Sequence, residues 1–340
     1  MKKQILYILA TACLLFSSCI DAEEYNDDPL GNFEALWTII DEQYCFLDYK
    51  AEEYGLDWDE VHERYRKDIV STMTEKDLFY VLGNMLEELK DGHVNLYSGF
   101  DVARYWSWYE DYPKNFSDSI QRIYLGKDYH IASGIKYKVL DDNIGYLYYE
   151  SFSDAIGDGN LNDMFTELAI CKGLIIDIRN NSGGQLTNAS KLAARFTNEK
   201  ILTGYILHKT GPGHSDFSDP YPIYLEPSND IRWQKPVVVL TNRSAYSATN
   251  DFVNTMRQLP LVTIIGDKTG GGSGLPFSSE LPNGWSIRFS ASPMLDPEMN
   301  HLEFGIDPDI YVNMTEEDMK RGKDTIIEYA RQFLSQKDLE

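Results

Sequence analysis

The stretch KPVVVLTNRSAYSATNDFVNTM, residues 235–256, predicts a buried strand, a polar turn and then a helix. Short runs rich in Val, Ile and Tyr recur from about residue 137, with helical segments between them; these runs are GIKYKVL, NIGYLYYESF, KGLIIDIR and LVTIIGD. Strands that alternate with helices need right-handed crossover connections, which make the strands parallel in one sheet between helical layers. The sequence therefore predicts an α/β domain over residues 137–340, which ends in a hairpin turning at Pro282-Asn283-Gly284 and a last helix over 315–336.

The region before this domain has a helical pattern. Apolar residues recur at helical spacing across residues 31–95, where Asp57 and the pair Thr74 and Asp77 are placed to cap two helices. We expect a small N-terminal helical bundle there. Residues 96–136 are aromatic and lack a clear period, so they predict an irregular connecting segment.

The N-terminal residues have the pattern of an export signal. Two lysines precede an apolar run that is too short to span a bilayer, and two serines then stand before Cys19. This layout predicts a signal peptide over residues 1–18 and resembles a bacterial lipobox, in which Cys19 is acylated. The alternative is an unlipidated signal cut near Ser18. Residues 19–30 are acidic and predict a solvated tether.

Charge narrows the range of partners. Removal of residues 1–18 takes two positive charges from a net charge of −23, so the mature chain carries −25. Such an acidic protein repels phosphate groups, which argues against nucleic acid and against membrane contact other than the lipid anchor. We expect an exported lipoprotein of the cell envelope, held in the outer membrane with its body facing the periplasm or the surface.

The cysteines and the acidic segments predict no metal site and no cofactor. After the signal and the anchor, Cys45 and Cys171 remain, and no metal-ligand spacing links them. They are two isolated buried thiols or, in an oxidising compartment, a disulfide pair. The acidic segment 154–163 lacks the alternation of a calcium loop and predicts a solvated loop.

Ser247 stands where the Val237–Leu240 run has ended and a helix begins. A hydroxyl at a helix N-terminus lies beside unpaired N–H groups, which favour negative charge and suit a nucleophile. Serine is also a favoured helix cap, and Ser244 would serve that purpose equally well. The position alone leaves both interpretations open.

A second strand end carries IIDIRNNSGGQ, residues 175–185. Gly183 and Gly184 let backbone N–H groups approach a ligand closely, which suits an oxyanion hole. Asp177 and Arg179 lie on the same side of the strand end, where they could brace the loop. An ordinary turn between a strand and a helix is the alternative.

The candidate bases are six histidines and one lysine. The histidines are His62, His93, His130, His208, His214 and His301. His93 is the best placed, because it lies in a compact turn that follows a well-formed helix. A lysine base would need burial that lowers its pKa, and Lys268 in GDKTGGGSG is the nearest candidate.

Four segments occur in the order and spacing of one family: LKDGHVNL, LIIDIRNNSGG, VVVLTNRSAYSATNDF with IIGDKTGGG, and EFGIDPDIYV. Together they resemble the carboxy-terminal-processing and tricorn-core serine peptidases, over residues 33–95 and 137–315. The resemblance implies a crotonase/ClpP-like catalytic domain with ββα-type units. It also implies that Ser247 is the nucleophile.

The resemblance further implies the oxyanion donors and the base. One donor falls on Gly183 or Gly184, and the other falls on Ala248. Members with a Ser–Lys dyad carry their lysine where this chain has Gly272, four residues after Lys268. Tricorn-like members use a histidine instead, which falls on His93. They orient it through a glutamate that falls on Glu303, and such a carboxylate would stabilise the imidazolium.

Two features depart from the family pattern. Tricorn has a serine before its histidine where this chain has Gly92, and Asp91 or Asn95 could take over its role. Many relatives insert a PDZ domain after the helical module. Residues 96–136 are too short for one, so we expect substrate tails to be recognised differently.

These expectations describe a serine peptidase that hydrolyses peptides or unfolded proteins through an acyl-enzyme. One alternative is a non-catalytic surface lipoprotein that binds a ligand or peptide on the same fold. Another is an esterase or acyl-CoA enzyme on a crotonase-like scaffold. It would share the oxyanion hole but would not need a helix-start serine facing a histidine.

Overall fold

The computed structural model describes residues 25–337. The predicted signal peptide over residues 1–18, the predicted lipidation site Cys19 and the first part of the predicted tether lie outside these residues. None of the helices within 25–337 combines the length and the apolar character that a bilayer span requires.

Four helices form the N-terminal module: α1 Pro29–Gln43, α2 Leu47–Tyr54, α3 Trp58–Tyr65 and α4 Glu75–Glu87. Helix α1 begins inside the predicted tether, because Pro29 fits a first helical turn and the Asp28 carboxylate caps it. Both predicted caps are confirmed, since Asp57 caps α3 and Thr74 forms a capping box with Asp77 at α4.

The connecting segment is more regular than predicted. It contains β1 Asn95–Tyr97, β2 Val102–Arg104, α5 Ser107–Glu110 and α6 Asp118–Leu125. Strand β1 pairs antiparallel with β2 on one side and with residues 286–288 on the other. That second partner is remote in sequence, which is why these short strands gave no local signal.

A seven-stranded core sheet follows the predicted α/β pattern. Its strands are β3 His130–Ala132, β4 Ile135–Val139, β5 Ile144–Tyr149, β6 Gly173–Asp177, β9 Val237–Thr241, β10 Val262–Gly266 and β13 Ile310–Tyr311. Their order is β13-β10-β9-β6-β5-β4-β3, and the strands from β13 to β5 are parallel. The edge strands β4 and β3 are antiparallel, because short turns rather than crossovers join them.

A second sheet, entirely antiparallel, was not predicted. It adds β7 Ile201–Ile206, β8 Tyr221–Leu225, β11 Gly274–Glu280 and β12 Ser286–Leu295 to the two strands of the connecting segment. The predicted hairpin is confirmed as β11 and β12, and Gly284 supplies the positive φ of 81° in its turn. The N-terminal module packs on this sheet; for example, the Phe79 and Trp285 rings lie 5.4 Å apart between centroids.

Helices cover both faces of the core sheet: α7 Asp158–Leu168, α8 Leu186–Ala193, α9 Ala248–Met256, α10 Glu316–Lys320 and α11 Thr325–Lys337. Val239 packs in one apolar cluster with α9, and its neighbour Val238 packs in another with α11. Two expectations were wrong. The last helix is divided, because Gly322 adopts a φ of 69° after α10. The acidic segment 154–163 is helical from Asp158 onward, where that carboxylate pairs with Arg195.

The fold brings the end of the helical module to the turn between β9 and α9. His93 follows α4, and Ser247 precedes α9, so the two approach from separate parts of the chain. Cys45 and Cys171 are buried and free, which confirms the isolated thiols and not the disulfide.

Candidate active site

Ser247 is held in a strained conformation at the start of α9. Its φ and ψ are 58° and −123°, a region that non-glycine residues rarely adopt. Within the part of the chain that the structure describes, its side chain caps no helical N–H, so the capping interpretation fails. A Cβ at Gly183 would lie 2.9 Å from the Ser247 Cβ, so glycine is what lets the neighbouring loop pack here. A strained serine between a strand and a helix projects its hydroxyl into the cleft, as in nucleophile elbows.

His93 contacts this hydroxyl. Its Nε2 lies 3.0 Å from the Ser247 Oγ, which is hydrogen-bond distance. The backbone N–H of His93 donates to the Asp91 carboxylate at 2.7 Å, which fixes the turn. The imidazole packs against the Tyr246 ring, and that ring stacks on Trp108 with 4.1 Å between centroids. The structure therefore brings two of the predicted site residues together.

The imidazole of His93 is neutral near pH 7. Burial, helped by the charges of Arg288 and Lys50, lowers its pKa to about 4, although the Asp91 charge opposes this shift. A neutral ring can accept the Ser247 proton at Nε2, which is what general-base catalysis requires.

Glu303 makes different contacts from the one predicted. We predicted a contact with His93, but the Glu303 Oε1 lies 3.4 Å from the Lys50 Nζ, and its Oε2 accepts the Ser273 N–H at 3.0 Å. Among residues 25–337, the buried Nδ1 of His93 has no hydrogen-bond partner. The reason for the error is the fully buried Lys50, which attracts the carboxylate and which the sequence analysis did not consider.

Lys50 is the site residue that sequence reasoning missed. It lies in α2, three residues after the buried Leu47 and therefore on the same helical face. The sequence signal that could have revealed it was a lysine on the apolar face of a helix. Its ammonium also donates to the Leu89 carbonyl, four residues before His93, so it ties α2 to the end of the helical module.

Asp91 is the carboxylate that supports His93 most closely. It accepts hydrogen bonds from the Tyr44 hydroxyl at 2.9 Å and from the Ser290 hydroxyl at 2.8 Å, besides the His93 N–H. Burial alone would raise its pKa, but the charges of Lys50 and His93 and these hydrogen bonds outweigh it and lower the pKa. Asp91 therefore stays ionised beside the imidazole.

The structure also accounts for Gly92. A Cβ there would lie 2.6 Å from the Trp108 Nε1, so the indole occupies the space that a serine would need. Asn95 donates from its Nδ2 to the Gly92 carbonyl at 3.1 Å, which holds the turn without that serine.

Two of the three predicted oxyanion donors remain as candidates. Ala248 opens α9, so its N–H has no acceptor within the helix. The Gly183 N–H donates to Asn181 Oδ1 at 3.0 Å and is not available, which leaves Gly184, whose N–H finds no acceptor in the described chain. Gly184 and Ala248 border the same cavity of about 260 Å³ as Ser247.

Asp177 and Arg179 do brace the loop, from behind it. The Arg179 guanidinium donates to both Asp177 oxygens, at 2.9 and 2.7 Å, and to Asp324 and the Asn115 carbonyl at 3.1 Å each. All three charged side chains are fully buried. This cluster joins the end of β6 to the start of α11.

The structure gives Lys268 no part in the site. Its ammonium lies 3.7 Å from the Asp307 carboxylate. Gly272, the position of the lysine in Ser–Lys relatives, has no room for any side chain, because a Cβ there would lie 2.3 Å from the Tyr246 ring.

Two family models and several known proteins match this chain. Residues 143–312, half of the chain, match peptidase family S41, and residues 25–87 match the tricorn protease C1 domain. The carboxy-terminal-processing protease of Bartonella bacilliformis is 25% identical over 60% of this chain and 46% of its own length. The tricorn protease of Thermoplasma acidophilum is 27% identical over 55% of this chain and 16% of its own length. The chain thus spans less than half the length of these two curated relatives.

A solved structure extends the likeness to nearly the whole fold. A Parabacteroides merdae protein is 58% identical, and the match covers 91% of this chain and 97% of that one with a TM-score of 0.88. Together with the two family matches, this likeness covers the helical module and the α/β domain. The chain belongs to peptidase family S41.

Proposed function

We propose that this chain hydrolyses peptide bonds through an acyl-enzyme on Ser247. The observation that carries the proposal is the 3.0 Å contact between the strained, non-capping Ser247 hydroxyl and the neutral His93 ring. A helix cap needs neither the strain nor the histidine. A nucleophilic hydroxyl does need an adjacent base such as this histidine.

The reaction follows from these positions. His93 Nε2 takes the hydroxyl proton while Ser247 Oγ attacks the substrate carbonyl, and the N–H groups of Ala248 and Gly184 stabilise the oxyanion. The imidazolium then gives its proton to the leaving amine, and the peptide bond breaks. Water attacks the ester by the same route and regenerates the hydroxyl.

Two carboxylates support the imidazolium in different ways. Asp91 lies beside it as an ionised group, so it offsets the positive charge that forms on the ring. Glu303 acts at one remove in this proposal. Together with Lys50 it links the Leu89 carbonyl to the Ser273 N–H, and so positions the module that carries His93 against the cavity wall.

The substrates that we propose are peptides and unfolded proteins. The names of the relatives support this choice, since one is a carboxy-terminal-processing protease and the other is a tricorn protease. The cavity beside Ser247 is open to solvent and small, which suits a single side chain of an extended segment and not a folded domain.

Mapping of cleavage products tests the proposal. Purified protein and its Ser247→Ala variant are incubated with reduced, unfolded proteins, and new peptide ends are identified by mass spectrometry. We expect new ends with the wild type and none with the variant. Equal products from both would contradict the nucleophile, and no products from either would favour the binding lipoprotein.

We also propose export and acylation at Cys19, on the pattern of residues 1–19 alone. In cells, the wild type should then partition into a detergent phase and a Cys19→Ala variant into the aqueous phase. Wild-type protein in the aqueous phase would contradict the anchor.

A further inference from the structure

We propose that the residue whose carbonyl Ser247 attacks is a lysine or an arginine, and that Asp251 and Asn254 recognise its cationic end. The inference rests on the proposed peptidase function and names the substrate class of the same site. It depends on Ser247, which precedes α9, on Asp251 and Asn254 within α9, and on the cavity that they border.

Ser247, Asp251 and Asn254 share one face of α9. They stand at positions i, i+4 and i+7, and all three line the cavity that also holds the two oxyanion donors. At 1.5 Å per residue, Asp251 lies about 6 Å and Asn254 about 10 Å along the axis from Ser247. A long side chain on an acyl group at Ser247 has the length to reach them.

Both recognition residues present acceptors that nothing satisfies. In the described chain, the Asp251 carboxylate makes no hydrogen bond and no ion pair. Asn254 donates from Nδ2 to the Thr203 carbonyl at 2.8 Å, which points its oxygen the other way, and that Oδ1 is buried without a partner within residues 25–337. A buried acceptor without a donor, as at Asn254, costs free energy, and the Asp251 carboxylate adds a negative charge, so the two residues favour a ligand that brings several N–H groups.

The rest of the lining fits the stem of such a side chain. Leu186, Ile223, Met294 and Leu302 supply apolar surface around the cavity. Lysine and arginine carry three or four methylene groups before their charge, and these pack well on apolar walls. A net charge of −23 also attracts cationic peptides from a distance.

Arg288, from β12, is the other charged residue that lines the cavity. It forms no ion pair with Asp251 among the described residues, and its charge acts on His93 and Tyr246 instead. Burial alone raises the pKa of Asp251 to about 6. The carboxylate is therefore ionised at neutral pH and loses its charge as the pH falls through 6.

The test compares two peptide substrates that differ only in having lysine or norleucine on the acyl side of the scissile bond. Norleucine keeps the stem and lacks the ammonium group. Wild-type protein should prefer lysine by on the order of 10²-fold in kcat/KM at pH 7.5, and the preference should shrink below pH 6. Asp251→Asn should remove most of it, whereas Asp219→Asn, which removes the same charge from an exposed position, should keep it.

A small fluorophosphonate labels Ser247 but carries no side chain long enough to reach Asp251 and Asn254, so it separates two failures. Normal labelling together with equal or better cleavage of the norleucine peptide by the wild type would overturn the specificity and leave the peptidase intact. An Asp251→Asn variant that labels normally and keeps the full lysine preference would overturn the role of Asp251. Absence of labelling in the wild type would instead overturn the proposed function itself.

Discussion

Two buried clusters of charge within residues 25–337 differ in how closely their members are paired. The Arg179 cluster consists of Asp177, Arg179 and Asp324, and its hydrogen bonds measure 2.7 to 3.1 Å. The site cluster consists of Lys50, Asp91, His93 and Glu303. Its Lys50–Glu303 contact is longer, at 3.4 Å, and the His93 Nδ1 has no partner among the described residues.

The difference shows what each cluster is for. Closely paired charges neutralise one another, and breaking such a pair leaves an uncompensated buried charge. In the open cluster, two groups are instead perturbed toward their neutral forms: burial lowers the pKa of His93, and burial with the Asp91 charge raises that of Glu303. Perturbed groups in a cleft indicate chemistry. We therefore expect the Arg179 cluster to control stability and the site cluster to control activity.

The largest expected effect is the loss of turnover when either member of the Ser247–His93 contact is replaced. Ser247→Ala and His93→Ala should each lower kcat by about 10⁶-fold, because the two groups act as a unit. The double variant should be no slower than either single one. Turnover measured at matched protein concentrations checks this. Effects that multiply in the double variant would show that the two residues act independently.

The Arg179 cluster should show the opposite behaviour. Arg179→Met leaves two buried carboxylates without a cation and should lower the free energy of unfolding by about 3–5 kcal/mol. Lys50→Met should cost less, because Glu303, whose pKa is already raised, can take up a proton. Urea unfolding of the two variants checks the order. A larger loss from Lys50→Met would contradict the comparison.

The oxyanion loop gives a somewhat smaller effect. A Cβ at Gly184 would lie 2.2 Å from the Ser153 backbone nitrogen, so Gly184→Ala must move its own N–H. We expect kcat to fall by about 10²–10³-fold with KM little changed. Gly159→Ala is the matched control, since a Cβ there meets nothing within 4 Å in the described chain. Full activity of Gly184→Ala would show that another N–H is the second oxyanion donor.

The smallest effect is a shift in pH dependence. Protonated His93 cannot accept the serine proton, so kcat/KM for a norleucine substrate should fall only as the pH drops through about 4. Arg288→Gln removes a charge that lowers this pKa, so the acid limb should move to higher pH. A limb near 6.5 in the wild type would show that the ring is not buried as described.

Local patterns predicted much of the fold. The parallel strands were visible because burial on both faces gives short continuous apolar runs, as in Val237–Leu240. The second sheet was not visible. Strand β8 is mostly exposed or half-buried, and β1 has three residues and a partner almost 200 positions away. Such strands form through pairing, which no local period records.

The site residues also divide into those that the sequence predicted and those that it did not. Ser247 and His93 were candidates because each stands at a turn beside a regular element, and the resemblance to tricorn-like peptidases then implied their roles. The Lys50–Glu303 pair joins residues 253 positions apart, and Asp91 meets Ser290 across 199. The resemblance assigned Glu303 to His93, and nothing in the sequence analysis placed a buried lysine between the module and the core. Asp251 also escaped notice, since acidic residues near a helix start are common.

The central claim is that Ser247 is a nucleophile activated by His93, and active-site labelling tests it most directly. Wild-type protein, Ser247→Ala and His93→Ala are treated with a fluorophosphonate, and the adduct is located by peptide mass spectrometry. The account predicts a single adduct on Ser247 in the wild type, none in Ser247→Ala, and labelling slowed by orders of magnitude in His93→Ala. Labelling of Ser247 at an unchanged rate without the His93 imidazole, or an adduct on another residue, would contradict it.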